Sequence, residues 1–80
     1  MADVRDTILD HIKSEILPSA RIGYDTRLIT SGFVNSLDMV RVKSYLEAHY
    51  RIKIPDEMAT AQAFDSVESI TRLLGKLGVR

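Results

Sequence analysis

The chain has no cysteine. It can therefore form no disulfide and hold no thiolate-metal cluster, and any thiol chemistry it takes part in must be supplied by an added group. It also lacks any apolar run approaching the roughly 18 residues needed to cross a bilayer. Its N-terminus does not show the basic-then-apolar order of a secretory signal, so a cytoplasmic location is expected and no membrane partner. Net charge is missing as well: eleven Lys and Arg balance eleven Asp and Glu. A chain with no long-range field is not drawn to nucleic acid or anionic surfaces, and no nucleic-acid partner is expected. Internal repeats and low-complexity tracts are absent, and turn-forming residues are few: Pro18, Gly23, Gly32, Pro55, Gly75 and Gly78.

What is present fits one small folded unit. Eighty residues make a single domain, 1–80, near the lower end of the range in which a hydrophobic core alone supports folding. So short a chain leaves little room for an elaborate catalytic cleft, and an enzyme is not expected. The start at Met1 suggests a free-standing product, and a monomer is expected.

Between the turn residues the apolar pattern is helical. Val4, Ile8, Ile12 and Ile16 recur every four residues, flanked by Leu9 and Leu17, and Asp3 and Asp6 suit a helix start. A first helix is predicted over Asp3 to Leu17. From Pro18 to Asn35 no period is sustained, yet Leu28, Ile29, Phe33 and Val34 interrupt the turn residues. A connection this long is unusual and is expected to be pinned across the helices by those four side chains. The helical period resumes and a second helix is predicted over Ser36 to Tyr50, where Met39, Val42, Leu46 and Tyr50 form one stripe with Val40 at its border. At about 100° per residue, Leu37 falls off that stripe on the same end as Ser36 and is expected to be exposed. Pro55 breaks the path and begins a short turn or helix through Asp56, Glu57 and Met58. Asp65 and Glu68 have capping-box spacing ahead of Val67, Ile70, Leu73, Leu74 and Leu77, whose helix is predicted to end near Gly75 to Gly78. The expected fold is all-α: three main helices, one short helix and a long first loop.

One segment carries chemistry. Gly32-Phe33-Val34-Asn35-Ser36-Leu37-Asp38 resembles the modification motif of acyl and peptidyl carrier proteins, with Gly, two apolar residues, usually Asp, then Ser and Leu. The resemblance extends to Asp25-Thr26-Arg27-Leu28 upstream, to Leu46-Glu47 and Tyr50 with Ile52-Lys53-Ile54-Pro55-Asp56 downstream, and to Phe64-Asp65-Ser66-Val67 at the start of the last helix. It covers nearly the whole chain and implies a four-helix carrier-protein bundle of the stand-alone type. It further implies that Ser36 is the covalent attachment point of 4'-phosphopantetheine, delivered from coenzyme A by a Mg²⁺-dependent phosphopantetheinyl transferase. Cargo would ride on the arm as a thioester, loaded by an acyltransferase or an adenylating ligase and handed to downstream synthase enzymes. Acyl and aminoacyl cargo both remain open.

The physical fit is direct. A serine at a helix start presents its hydroxyl at the end of an ordered loop, and the partial positive charge of a helix N-terminus favours a new phosphodiester there. An isolated serine in this position would read as a simple N-cap. Asn35 stands where the family more often has Asp, as in carriers of specialised biosynthetic pathways. The second helix mixes Asp38 and Glu47 with Arg41 and Lys43, whereas fatty-acid carriers present mostly acid there. Leu37, Asp38, Arg41 and Lys43 are therefore expected to recognise partners dedicated to a specialised pathway, such as polyketide, nonribosomal peptide or antibiotic biosynthesis. The rival reading is an unmodified helical interaction domain that docks a partner through Leu37 and the exposed side of the second helix.

Other candidates give way to ordinary structural roles. His11 and His49 have no spaced partner, and no metal site is expected. The pairs Asp56, Glu57 and Asp65, Glu68 read as capping and solvated charge. Ser36 is not a nucleophile elbow, because no glycine follows it two positions on and no strand precedes it.

Overall fold

Val4, Ile8 and Ile12 are buried along one side of the first helix, as their spacing requires. The computed structural model describes residues 3–18 and 21–79; Ser19 and Ala20 of the expected loop lie outside it. Helix α1 runs Val4–His11 and is capped by Asp3, whose carboxylate accepts the Val4 amide at 2.7 Å. The winding then widens to a π-helical turn over Ile12–Ile16, closed by the Leu17 amide on the Ile12 carbonyl at 2.7 Å. Leu17 itself has left the helical region, with φ −131° and ψ 65°, as the proline after it demands. The expected extent is thus met, with a looser final turn.

Helix α2 spans Ser36–Tyr50 and buries Val42 and Leu46, with Met39 and Tyr50 half-buried beside them. It ends at Arg51, which adopts the left-handed conformation (φ 54°) and donates its amide to the Glu47 carbonyl. The Glu47 side chain then accepts the Ile54 amide at 2.8 Å, folding the next segment back along the helix. The short element expected after Pro55 is a single turn, in which the Met58 and Ala59 amides donate to the Pro55 carbonyl at 2.9 and 3.1 Å.

Helix α3, Val67–Lys76, buries Val67, Ile70, Leu73 and Leu74. Its capping box lies one residue later than the sequence spacing suggests. Ser66 accepts the Ser69 amide, and Ser69 in turn accepts the Ser66 amide, both at 3.1 Å. Asp65 and Glu68 do not form the box, because Asp65 is turned inward on another task described below. The helix stops as predicted before Gly78, whose φ of +91° suits glycine.

Helices α1 and α3 pack on one another. The connections add Ile22, Leu28, Val34, Ile54 and Phe64 to the same core as the helical side chains. Each fully buried aliphatic side chain contributes about 1.5–3 kcal/mol, so the long first connection is fastened by the same force that holds the helices. No helix among the described residues is long and apolar enough to cross a membrane.

Candidate functional site

The connection before α2 reaches Ser36 through a series of fixed points. Ile22, Leu28 and Val34 are buried, and the Tyr24 carbonyl accepts the Glu68 amide at 3.0 Å. The Tyr24 hydroxyl bonds to Asp6 on α1, with the Arg5 guanidinium 5.2 Å from its ring centre. Asp65 forms a further fixed point. Its carboxylate accepts the Ile29 and Thr30 amides, both at 2.9 Å, the Thr30 hydroxyl at 2.7 Å and Arg27 at 3.3 Å. The Thr30 amide and hydroxyl, helped by Ile29 and Arg27 and opposed by burial, hold the Asp65 pKa down at about 2. Gly32 then turns the chain with φ +88°, its amide on the Ile29 carbonyl at 3.0 Å. An added Cβ there would meet nothing within 4 Å, so backbone conformation and not space calls for glycine.

Of the four side chains expected to pin this connection, Leu28 and Val34 are buried and Ile29 is half-buried, but Phe33 is exposed. The reason is local: Leu28 and Val34 are joined by the Val34 amide on the Leu28 carbonyl at 2.8 Å, and Phe33, within the loop they close, is turned outward. Ile22, which the sequence pattern did not single out, takes a buried place.

Ser36 is the first residue of α2 and is exposed. It is not the cap. Asn35 holds that position, its side-chain oxygen accepting the Asp38 amide at 2.9 Å, so the reading of Ser36 as a plain N-cap does not hold. Leu37 is 69% exposed, in agreement with its place off the apolar stripe. Val40 is exposed too, within about 40° of Ser36 around the helix, so Phe33, Leu37 and Val40 leave three apolar side chains around the serine uncovered.

The charged residues expected near the site differ in freedom. Arg41 lies 3.8 Å from Asp38, with its side chain 63% exposed. Lys43 is 22% exposed and donates to Asp56 at 3.1 Å, because α2 carries it over the turn that follows Pro55. Glu47 is engaged by the Ile54 amide. The sequence missed one further relation: His11, Tyr45 and His49 stack in series, with the first two rings 3.7 Å apart and 7° from parallel. Burial pushes the His11 pKa down, with Arg41 adding to the effect and Glu15 opposing it. The stack borders a groove of about 430 Å³ lined by His11, Glu15, Ile16, Val40, Arg41, Ser44 and Tyr45. Among the described residues no group of His, Asp or Glu is placed to hold a metal ion.

No protein-family model matches the chain, and a comparison with curated proteins gives no match. A solved structure does match: that of the Bradyrhizobium japonicum glycine:[carrier protein] ligase complexed with its cognate carrier protein and an analogue of glycyl adenylate. The likeness has a TM-score of 0.74 at 28% identity over 92% of this chain and 99% of that one. Two chains covered so fully are of nearly equal length, so the match is to the small carrier protein of that complex. The fold is that of a carrier protein. Within this carrier-protein fold, an anchored loop delivers Ser36 to the exposed start of α2.

Proposed function

We propose that the chain is a carrier protein, not itself a catalyst, and that Ser36 is where 4'-phosphopantetheine is attached. The observation that carries this reading is the division of labour at the start of α2: Asn35 makes the capping bond, which leaves the neighbouring exposed serine without the capping task. The carrier-protein fold supports the same conclusion.

The residues present fit such a group. Ser36 stands at the positive end of a fifteen-residue helix, where the dipole favours a phosphodiester anion. Arg41 beside Asp38 tempers the one carboxylate of the first turn. Phe33, Leu37 and Val40 offer apolar contact to an enzyme that must approach the hydroxyl. The attached group would supply the thiol that the cysteine-free chain lacks, with cargo held as a thioester.

For the loading partner, the likeness to a carrier protein solved in complex with a glycine ligase and a glycyl adenylate analogue favours an adenylating ligase over an acyltransferase, and hence an aminoacyl cargo. A phosphopantetheinyl transferase and downstream synthase enzymes complete the set of partners, in a specialised biosynthetic pathway. Incubation with coenzyme A, Mg²⁺ and a broad-specificity transferase tests the proposal by intact mass: one phosphopantetheinyl adduct is expected. An unmodified chain would instead support an interaction domain.

A further inference from the structure

Asp65 is remote from Ser36 in sequence and, at 6% exposure, is one of two buried polar residues among those described. Its task is not to cap α3, which Ser66 does. Besides the four bonds to its carboxylate, its backbone carbonyl accepts the Leu28 amide at 2.6 Å. Four consecutive residues, Arg27 to Thr30, are thus tied to one residue at the foot of α3.

From that clasp the chain has little freedom before the serine. The Leu28 carbonyl holds the Val34 amide at 2.8 Å, and the Ile29 carbonyl holds Gly32 at 3.0 Å. The Ser31 hydroxyl bonds back to the Arg27 carbonyl, Val34 is buried, and Asn35 caps the helix. One residue, Asn35, separates the last clamped position from Ser36.

We infer that Asp65 is a positioning residue for the modification of Ser36: by fixing residues 27–30 at the foot of α3, and through their bonds to Gly32 and Val34 the rest of the loop, it holds the serine and the neighbouring Phe33 and Leu37 in the arrangement a modifying enzyme must meet. The inference rests on the reading of Ser36 as the attachment point. Without the clasp, helix α2 would keep its own core contacts through Val42 and Leu46, but the loop leading to it would have to be ordered by the enzyme at each encounter. That ordering cost falls on binding, so the loss appears mainly in the KM for the protein substrate.

The test compares the wild-type chain with Asp65→Ala, Asp65→Asn and Thr30→Val, with Leu73→Ala as a core-weakened control, all at a temperature where each is folded. Phosphopantetheinyl transfer from coenzyme A is followed together with amide hydrogen exchange. The expected result for Asp65→Ala is a fall of about tenfold or more in kcat/KM, carried by KM, with faster exchange at Gly32, Val34 and Asp38 while Leu46 stays protected. Asp65→Asn should recover part of the rate, since its carbonyl oxygen can still accept, and Leu73→Ala should stay near the wild-type kcat/KM. An unchanged kcat/KM in Asp65→Ala, or an equal fall in Leu73→Ala, overturns the inference. If Asp65→Ala does not fold, Asp65→Asn and Thr30→Val carry the same comparison with smaller effects. Should the wild-type chain accept no adduct, the attachment reading fails, and exchange alone judges the clasp: unchanged protection at Val34 and Asp38 overturns it, and lost protection there supports it.

Discussion

The side-chain oxygen of Asn35 accepts the amide of Asp38 at 2.9 Å, so the cap of α2 belongs to the residue before Ser36. Asn35→Ala should therefore lower the free energy of unfolding by about 1 kcal/mol. Ser36→Ala, at an exposed first helical position, should stay within about 0.5 kcal/mol of the wild type. Urea denaturation of both variants measures the difference. An equal cost for the two would return the capping role to the serine.

Leu37 and Leu46 lie on opposite sides of the same helix, one 69% exposed and the other fully buried. Leu46→Ala should cost about 2–5 kcal/mol, and Leu37→Ala no more than about 0.5 kcal/mol. In loading assays the order should reverse, with Leu37→Ala slowing the partner reaction at a temperature where it is fully folded. A thermal shift for Leu37→Ala of the size seen for Leu46→Ala would show that Leu37 is packed.

These contrasts mark how far the sequence could be read. Helical periodicity gave α2 to the residue and α3 to within a turn, because a three- and four-residue apolar spacing constrains which face is buried whatever lies opposite. The exposed position of Leu37 followed from the same arithmetic. Asp65 and Glu68 have the spacing of a capping box, and spacing carries no sign of another partner for Asp65. Only the fold brings Ile29 and Thr30 to that carboxylate and leaves the box to Ser66 and Ser69. Phe33 lies in a stretch without a period, where hydrophobicity alone does not say which side chain faces the core. The His11–Tyr45 stack joins elements that the sequence keeps far apart.

Arg41 and Lys43, equal as expectations for partner recognition, are unequal in the structure. Lys43 is already paired with Asp56, while Arg41 is largely exposed. Arg41→Glu should slow loading by the native partner at low salt more than Lys43→Glu does, with the difference shrinking as salt rises. Both variants should unfold within about 1 kcal/mol of wild type, since exposed ion pairs contribute little. Initial loading rates at two ionic strengths check this, and a larger effect at Lys43 would contradict it.

The low pKa of Asp65, about 2 in the folded chain, fixes the sign of an acid dependence. An ordinary carboxylate titrates near about 4. The stability contributed by the ionised Asp65 is complete above that value and is lost as pH falls from about 4 through 2. Asp65→Asn should be less stable at neutral pH and should lack this part of the acid loss. Urea midpoints measured from pH 7 to pH 2 test it. Parallel curves for the two proteins would show that Asp65 is not bonded as the structure has it.

The central claim concerns one hydroxyl, and peptide-level mass spectrometry after reaction with coenzyme A, Mg²⁺ and a phosphopantetheinyl transferase addresses it most directly. The account predicts a single phosphopantetheinyl group on the peptide containing Ser36 and no adduct in Ser36→Ala. An adduct on a different serine, such as Ser31 or Ser44, or a wild-type chain that accepts none, would contradict it.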